Sequence, residues 1–473
     1  MGADLPSDTR YATLSHCWGG KLPLKLTKST LARYTNGIPA DDLTPKFRQV
    51  VQVTRKLGLD YLWIDSLCIL QDSDDDWAHE SSRMGRVYEG ATINIVAASA
   101  SDSNGPLFSN TVQRDTAQQG FRDYFITMPN VLDNPFLCCD EGIWQNDVST
   151  SPVARRAWVL QELLLAPRIL YFCKNQMFWE CSELQACEQW PDGLPKRISA
   201  AERTIRLPRA DETEIIEADT GTARFTNPFF PKPENSGITP RSHSLTVRGM
   251  LKSIRSSSLR PDAVLPESKR IGKPELKSSN SDSKEVHHRD RRNAVASGNM
   301  AEENEKDLRY LWPEIIRRYS RADLSFPEED KLTAISAVAK RLYPPETHNY
   351  LAGFWRDQMP SCLAWKTIGF AQRPRRYQAP SWSWASVNGP VRISTSGAYN
   401  PHLTARILEA RTQGLSKDPT GRVSAGSIRV QTMLLKVECR NPRESIVRIP
   451  NMEKSFIWQS WKYQLAIENL RRT

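Results

Sequence analysis

A glutamate on an otherwise apolar helix face is the residue of this 473-residue sequence that most clearly points to chemistry. The positions i, i+3, i+7 and i+11 of a predicted helix carry Trp77, Glu80, Met84 and Tyr88. This spacing predicts that the Glu80 carboxylate faces the sheet and not the solvent. Such a carboxylate is either half of a structural ion pair or a site carboxylate whose pKa burial raises. Three arginines are candidate partners in the ion pair: Arg83, Arg86 and Arg156.

Two loops carry further groups that could bind a ligand. The first ends a predicted strand at Tyr11 to His16 and contains Ser15, His16, Cys17, Trp18, Gly19 and Gly20. The second ends a buried strand at Tyr61 to Asp65 and contains Asp65, Ser66, Cys68, Gln71 and Asp72. In open α/β sheets ligands bind beyond the carboxyl ends of the strands, where loops and helix N-termini converge. Taken singly, the same residues also fit plain structure, with Trp18 in the core and Asp65 capping a turn.

A third cluster begins at Arg156 and continues along a helix with Trp158, Gln161 and Glu162. The Arg156 guanidinium could meet a carboxylate or a phosphate as a bidentate fork, or it could be an ordinary surface charge. The sequence lacks the motifs of P-loop NTPases, Rossmann dinucleotide enzymes, zincins and serine hydrolases. Its nine cysteines include no C-x-x-C pair, so neither a metal site nor a resident cofactor is predicted.

The elements that must position these residues alternate between strands and helices. Thr44 and Pro45 predict the start of a helix that Gly58 ends, and a second helix is predicted from about Asp75 to Glu89. With the strands before, between and after them, the order is β-α-β-α-β. This order predicts an α/β fold, a three-layer sandwich around a parallel sheet. A further helix and two strands, within residues 155–181, should complete this unit.

Composition divides the chain into three parts. Residues 241–300 contain 13 Lys and Arg against 6 Asp and Glu and no aromatic residue, which accounts for +7 of the chain's net charge of +10. We expect a folded domain at 10–190, a basic and largely disordered linker at 191–304, and a mixed α+β region at 305–473. Nucleic-acid binding by the linker is the least favoured reading, because no stacking residues lie among its charges.

The sequence also bears on location. No stretch approaches the ~18 to 20 apolar residues that a membrane-spanning helix needs. The amino end lacks the basic and apolar segments of a signal peptide, and the cysteines do not suggest a disulfide framework. We therefore expect a cytoplasmic protein without a membrane span.

Four motifs resemble the fungal heterokaryon incompatibility (HET) domain over roughly residues 10–170. They are Y-A-T-L-S-H-C-W-G at 11–19, Y-L-W-I-D-S-L-C-I-L-Q-D at 61–72, W-A-H-E-S-S-R-M-G-R-V-Y-E-G-A at 77–91 and R-A-W-V-L-Q-E at 156–162. Downstream, L-T-A-I-S-A-V-A, A-G-F-W and A-P-S-W-S-W-A-S resemble the region that commonly follows that domain. The resemblance implies a protein of fungal non-self recognition whose activation leads to programmed cell death. One departure is Gln49, which stands where the family commonly has an acid.

The HET domain is in turn distantly similar to the Toll/interleukin-1 receptor (TIR) fold, some members of which cleave NAD with one helix-borne glutamate. That similarity implies a TIR-like sandwich in which Glu80 is catalytic and NAD is the substrate. It implies that Trp18 and Trp77 stack on the bases and that Arg156 pairs with the pyrophosphate. The remaining substrate-binding residues would be Ser15, Gly19, Asp65 and Cys68.

Two function hypotheses follow. In the first, the chain is an NAD nucleosidase that signals cell death, and a carboxylate at Glu80 stabilises the positive charge that develops on the ribose. In the second, it is a non-enzymatic adaptor that works by self-association of the domain, and Glu80 only forms an internal ion pair. Both expect a homo-oligomer and a recognition protein that the sequence does not identify.

Overall fold

The computed structural model describes most of the amino-terminal half and eight segments of the carboxyl-terminal half. The described residues are 8–19, 24–108, 124–126, 136–138, 140–195, 247–256, 311–342, 350–393, 405–416, 418–432, 438–439, 446–448 and 456–457, with single residues 6, 198 and 207.

Six strands form the central sheet in the order β2-β1-β3-β6-β7-β8. Their bounds are β1 Tyr11–Ser15, β2 Tyr61–Ile64, β3 Ile93–Val96, β6 Arg168–Phe172, β7 Met177–Cys181 and β8 Gln185–Cys187, while β4 Tyr124–Ile126 and β5 Phe136–Cys138 pair separately. The first four strands of the sheet are parallel, but β7 and β8 are antiparallel to their neighbours. The sheet is therefore mixed, and the prediction of a purely parallel sheet is wrong at this end. The connection between β6 and β7 is too short for a crossover, so only a hairpin can form there.

The helices around the sheet begin where the sequence places capping residues. The Thr44 side chain accepts a hydrogen bond from the Phe47 N–H at the start of the first long helix, and Ser73 does the same for the Asp76 N–H of the second. The helices are α1 Lys28–Thr35, α2 Pro45–Lys56, α3 Asp65–Cys68, α4 Asp74–Glu89, α5 Ala157–Leu165, α6 Val247–Ser256, α7 at 311–319, α8 Pro327–Asp330 and α9 Ser336–Leu342.

One face of the sheet is apolar. Alternate residues of β1 and β3 pack against α2 and α6 in a single hydrophobic cluster that includes Leu14, Ile95, Phe47, Leu251 and Ile254. Helix α6 lies within the predicted linker, so this part of 191–304 is ordered structure. Most of the other residues of that linker lie outside the described ones, and their disorder stays a prediction.

The opposite face of the sheet is covered by α4 and α5, which gives three layers. Here the carboxyl-terminal region joins the same core: α7 and α9 pack against α4 and α5 in one cluster that includes Tyr88, Leu165, Trp312, Ile335 and Val338. At Gly85 a side chain would place its Cβ only 2.2 Å from the Ala337 Cβ, so glycine permits the close approach of α4 and α9.

The rest of the carboxyl-terminal region consists of small antiparallel sheets. Their strands are β9 Tyr350–Leu351 with β10 Phe354–Trp355, β11 Lys366–Thr367 with β12 Val391–Arg392, β13 Arg406–Gly414 with β14 Val423–Gln431, and β15 Glu438–Cys439 with β16 Ile446–Arg448 and β17 Phe456–Ile457. Within the described part of the chain, no helix combines the length and apolar character needed to cross a membrane.

Candidate functional site

Three of the predicted binding residues meet at the carboxyl edge of the parallel strands. Asp65 directly follows β2, and its Oδ2 accepts a hydrogen bond of 2.9 Å from the Trp18 indole N–H. The Arg156 guanidinium carbon lies 5.8 Å from the centroid of the Trp18 ring, and an Arg156 N–H donates to the His16 carbonyl. Segments far apart in the sequence are thus joined into one cluster of an aromatic ring, a carboxylate and a guanidinium.

Ser15 lies beneath this cluster and is buried. Its hydroxyl donates to the Glu162 carboxylate and accepts a hydrogen bond of 3.0 Å from the Asn94 amide. Thr13 donates to the same Asn94 side chain over 3.1 Å. The polar face of the sheet is therefore a connected hydrogen-bond network, in which Ser15 serves as an internal link and is not open to solvent.

Glu162 is the buried acid of this network. Burial raises the pKa of its carboxyl to about 7, the Arg156 charge opposes the shift, and the Asp65 charge adds to it. Burial likewise raises the pKa of Asp65. Near neutral pH, Glu162 is therefore poised between its protonated and its ionised form.

His16 and Lys46 complete the buried part of the edge. Burial, reinforced by the charges of Lys46 and Arg156, lowers the pKa of His16 well below 6.5, so the ring is neutral. Its Nδ1 lies 3.8 Å from the Asp65 Oδ1, and neither ring nitrogen has a hydrogen-bond partner among the described residues. The Lys46 ammonium donates to the Asp102 carbonyl, and burial lowers the pKa of Lys46 to about 8.

The backbone conformation at position 19 requires glycine. Its φ is +74°, and a Cβ there would lie 2.6 Å from the Asp102 Cβ. The Ser103 hydroxyl donates to the Trp18 carbonyl over 2.9 Å, which fixes the loop from the other side. The loop after β1 is thus held against the chain that follows β3.

Glu80 lies at the rim of the site. Its side chain is 24% exposed, and Oε1 is 3.8 Å from an Arg83 nitrogen and 3.7 Å from the His79 Nε2. The predicted ion pair with an arginine is therefore present with Arg83. Cys68 is an exposed residue of α3. Desolvation of its sulfur, followed by the charges of Asp65 and Glu80, raises the pKa of the thiol.

The buried face of α4 contains Met84 and Tyr88 of the predicted stripe but not Trp77 or Glu80. It consists of Ser81, Met84, Gly85 and Tyr88. Trp77 remains 36% exposed, with its ring edge-on to Trp158 at a centroid distance of 6.1 Å. The helix is turned because α9 packs on Gly85, a contact that the local sequence pattern does not contain. Glu80 therefore does not face the sheet, and that expectation is wrong.

The carboxyl-terminal region holds the start of α5. The Asp323 carbonyl accepts from the Ala157 N–H over 3.0 Å, and the Asp323 N–H donates to the Arg155 carbonyl over 2.6 Å. The Trp158 indole N–H donates to the Asp330 carboxylate over 3.2 Å. Residues on both sides of Arg156 are thus fixed by a segment more than 160 residues downstream.

The sequence predicted that the loops with Trp18 and Asp65 share one edge, while Arg156 was linked to them only through the TIR resemblance; the structure brings all three together. The sequence did not indicate which groups are buried. Lys46 follows a first-turn proline and reads as a surface residue. Glu162 stands in the quoted R-A-W-V-L-Q-E motif, and the adjacent Gln161 and Leu163 give no sign of which side chain enters the core. Gln49, the departure from the family pattern, has a structural contact: its Oε1 accepts from the Leu107 N–H over 2.7 Å.

The described residues contain no group of three His, Cys, Asp or Glu side chains that could hold a metal ion. The edge contains two cationic groups, Arg156 and Lys46, and indole rings lie beside them. It also has two carboxylates: Glu162 is buried, and Glu80 lies at the rim. Such a set can bind an anionic, aromatic ligand and stabilise positive charge at the rim.

Residues 11–162 match the family model described as "Heterokaryon incompatibility protein (HET)". A search of curated proteins and a search of solved structures gave no match. The matched segment begins at β1 and ends at Glu162, so it contains every residue of the edge and the rim described above. The chain therefore contains a heterokaryon incompatibility (HET) domain at residues 11–162.

Proposed function

We propose that this HET domain protein acts in fungal non-self recognition and programmed cell death, and that it does so by cleaving NAD between nicotinamide and ribose. The observation that carries the proposal is the meeting of Trp18, Asp65 and Arg156 at one sheet edge, with Glu80 on the rim. The proposal includes a TIR-like fold, a cytoplasmic place of action and assembly of the domain into a homo-oligomer.

The edge suits the recognition of a dinucleotide. The guanidinium of Arg156 can pair with a pyrophosphate, and the positive charge of Lys46 nearby favours the same anion. Trp18 lies beside Arg156 and Trp77 is partly exposed, so both indoles are available to stack on a base. Asp65 holds the Trp18 indole through the hydrogen bond to its N–H, which fixes the ring for stacking.

Glu80 supplies the charge that the reaction needs. When the glycosidic C–N bond breaks, nicotinamide leaves with the bonding electron pair and positive charge develops on the ribose. A nearby carboxylate stabilises that charge, and the oxygen of a water molecule then bonds to the ribose carbon and releases a proton. The ion pair of Glu80 with Arg83 and its contact with His79 lie at the surface, where ion pairs are worth about 0–1 kcal/mol, so a substrate can displace them.

A second candidate function is a non-enzymatic adaptor that signals by self-association. The observation in its favour is that Glu80 already has Arg83 and His79 as partners, while Arg156 donates to the His16 carbonyl. In this reading the edge is a structural network, and activity depends on contacts between copies of the domain.

Release of nicotinamide separates the two functions. The purified full chain, clustered through a fused inducible dimerisation module, is incubated with NAD, and nicotinamide is measured by chromatography. We expect release by the wild type and a loss of about a hundredfold in Glu80→Gln, which keeps the shape and removes the charge. Glu89→Gln is the matched control, because Glu89 lies on the same helix and pairs with Arg341 over 3.1 Å.

No release by the clustered wild type, or equal release by Glu80→Gln, would overturn the enzymatic function. Sedimentation of the full chain without the dimerisation module then tests the adaptor. Reversible self-association that increases with protein concentration supports the adaptor function. A chain that stays monomeric at all concentrations contradicts it.

A further inference from the structure

A cluster of like charges stands on the carboxyl-terminal region, away from the sheet edge. Lys366 of β11 lies directly opposite Arg392 of β12 in the antiparallel ladder, and both are exposed. Like charges directly opposite each other destabilise a pair of strands. Arg321 adds to the cluster, because burial and the charges of Arg317 and Arg392 lower its pKa. The positive charges on this surface therefore repel one another, and binding of an anionic partner would reduce that repulsion.

The chain that continues from β11 extends the same surface. Residues 370–377 read F-A-Q-R-P-R-R-Y, and Arg373, Arg375 and Arg376 are all exposed. None of the three guanidinium groups forms an ion pair within the described part of the chain. The segment nevertheless has a fixed shape, because the Glu328 Oε1 accepts from the backbone N–H groups of Arg375 and Arg376 over 2.9 and 3.0 Å.

Exposed aromatic rings accompany these charges. Phe370 is 80% exposed, Tyr377 is 51% exposed, and Phe326, two residues before Glu328, is 65% exposed. Exposure of large apolar side chains to water is unfavourable in free energy, and burial against a partner would be favourable. We call Lys366, Phe370, Arg373, Arg375, Arg376 and Arg392 the basic aromatic patch.

We infer that the basic aromatic patch binds the surface of a negatively charged phospholipid membrane. Arginines attract the anionic head groups, and a protruding phenylalanine can enter the boundary between head groups and acyl chains. Single-stranded nucleic acid is the other polyanion that arginines and aromatic rings recognise. The exposure of Phe370 favours the membrane, because stacking on a base covers one face of a ring, whereas the acyl boundary can cover all of it.

Sedimentation of the full chain with lipid vesicles tests this inference. Vesicles of phosphatidylcholine alone are compared with vesicles that also contain phosphatidylserine, at low and at high salt. We expect binding only to the phosphatidylserine vesicles, and binding that weakens as salt rises. The triple variant Arg373→Gln, Arg375→Gln, Arg376→Gln should lower the apparent affinity by at least about tenfold, and Phe370→Ser should lower it by about threefold or more.

A matched control lies on the β13–β14 hairpin, where Arg411 and Leu415 are also strongly exposed. The double variant Arg411→Gln, Leu415→Ser should bind as the wild type does. Unchanged thermal unfolding of each variant establishes that it is folded, as expected for exposed positions. Wild type that does not bind the phosphatidylserine vesicles, or a triple variant that binds them equally well, would overturn the inference. Binding of a single-stranded oligonucleotide that the same variants abolish, without vesicle binding, would replace the membrane with nucleic acid.

Discussion

The two faces of the central sheet differ in the side chains that they bury. The face under α2 and α6 is an apolar cluster of residues such as Leu14, Ile95 and Phe47. The face under α4 and α5 carries Thr13, Ser15 and Asn94, joined to the buried Glu162. Adjacent residues of β1 thus supply an apolar core on one side and a polar network on the other, and on that second side Val96 and Ile169 belong to an apolar cluster beside the network. The candidate site lies on the polar side, at the carboxyl edge.

The faces also differ in which part of the chain packs on them. The carboxyl-terminal helices α7 and α9 pack only into the cluster that contains Tyr88 and Leu165, on the polar side. A segment that ends at Asp330 fixes the backbone beside Arg156 and the ring of Trp158. Both faces therefore contain buried apolar clusters that stabilise the fold, whereas only the polar face couples the site to the carboxyl-terminal region.

The largest expected effect is at the apolar face. Phe47→Ala should lower the free energy of unfolding by about 3–5 kcal/mol, because Phe47 is fully buried and its removal leaves a cavity. Chemical denaturation measures the loss. Leu31→Ala, at an exposed position, is the control and should change stability by no more than about 0.5 kcal/mol. A loss below about 1 kcal/mol for Phe47→Ala would show that this face does not carry the stability.

The polar face should respond to pH. The pKa of Glu162 in the folded chain is about 7, above its ordinary value of 4.5, so the folded state keeps a proton that the unfolded state has released. The stabilisation by this group is therefore complete below about pH 4.5 and is lost as pH rises toward 7. The expected slope is at most about 1.4 kcal/mol per pH unit.

Glu162→Gln should remove that contribution and flatten the dependence of the unfolding free energy on pH across this window. Urea denaturation at a series of pH values measures the difference from wild type. Because the charges of Asp65 and Glu162 interact, a part of the difference between the two slopes comes from Asp65. Equal slopes in the two proteins would mean that the Glu162 carboxyl is not held protonated by the fold.

The contact between α4 and the carboxyl-terminal region should tolerate no added methyl group. Gly85→Ala is expected to destabilise by about 1–3 kcal/mol, because the new Cβ would lie 2.2 Å from the Ala337 Cβ. This sign is opposite to the gain that alanine gives in a helix without such a neighbour. Adding Ala337→Gly should restore most of the loss in a double-mutant cycle. A stabilised Gly85→Ala protein would show that α9 does not pack here.

The smallest effect is expected where the carboxyl-terminal segment meets Trp158. Asp330→Ala removes the acceptor of the indole N–H and should lower stability by about 0.5–1.5 kcal/mol. Tryptophan fluorescence during denaturation follows the change, and Glu329→Ala, at an exposed neighbour, should be neutral. If both variants behave as the wild type does, the segment does not position the start of α5.

Local signals in the sequence were sufficient to predict the helices and strands that depend on them. Thr44 and Pro45 predicted the start of α2, and the helix predicted from about Asp75 to Glu89 is α4. The alternation of strands and helices predicted that β1, β2 and β3 are parallel. The carboxyl-edge rule then predicted that Trp18 and Asp65 would meet. Each of these predictions depends on residues close in sequence, or on a topology with few alternatives.

Contacts between distant segments could not be predicted in this way. The burial of Glu162 depends on Ser15, 147 positions away, and the turn of α4 depends on the contact of Gly85 with Ala337. The antiparallel β7 and β8 follow from short loops that the strand pattern alone does not reveal. The amphipathic helix α6 stands in a segment whose basic composition suggested disorder. A single sequence records none of these long-range pairings.

Hydrogen exchange with and without NAD tests most directly whether the carboxyl edge of the polar face is the ligand site. Because the measurement needs no turnover, it does not depend on the role of Glu80. The account predicts protection by NAD in peptides that cover residues 15–19, 65–72 and 77–84, and none in peptides of α6 or of the β13–β14 hairpin. Protection confined to other segments, or no protection at saturating NAD, would contradict it.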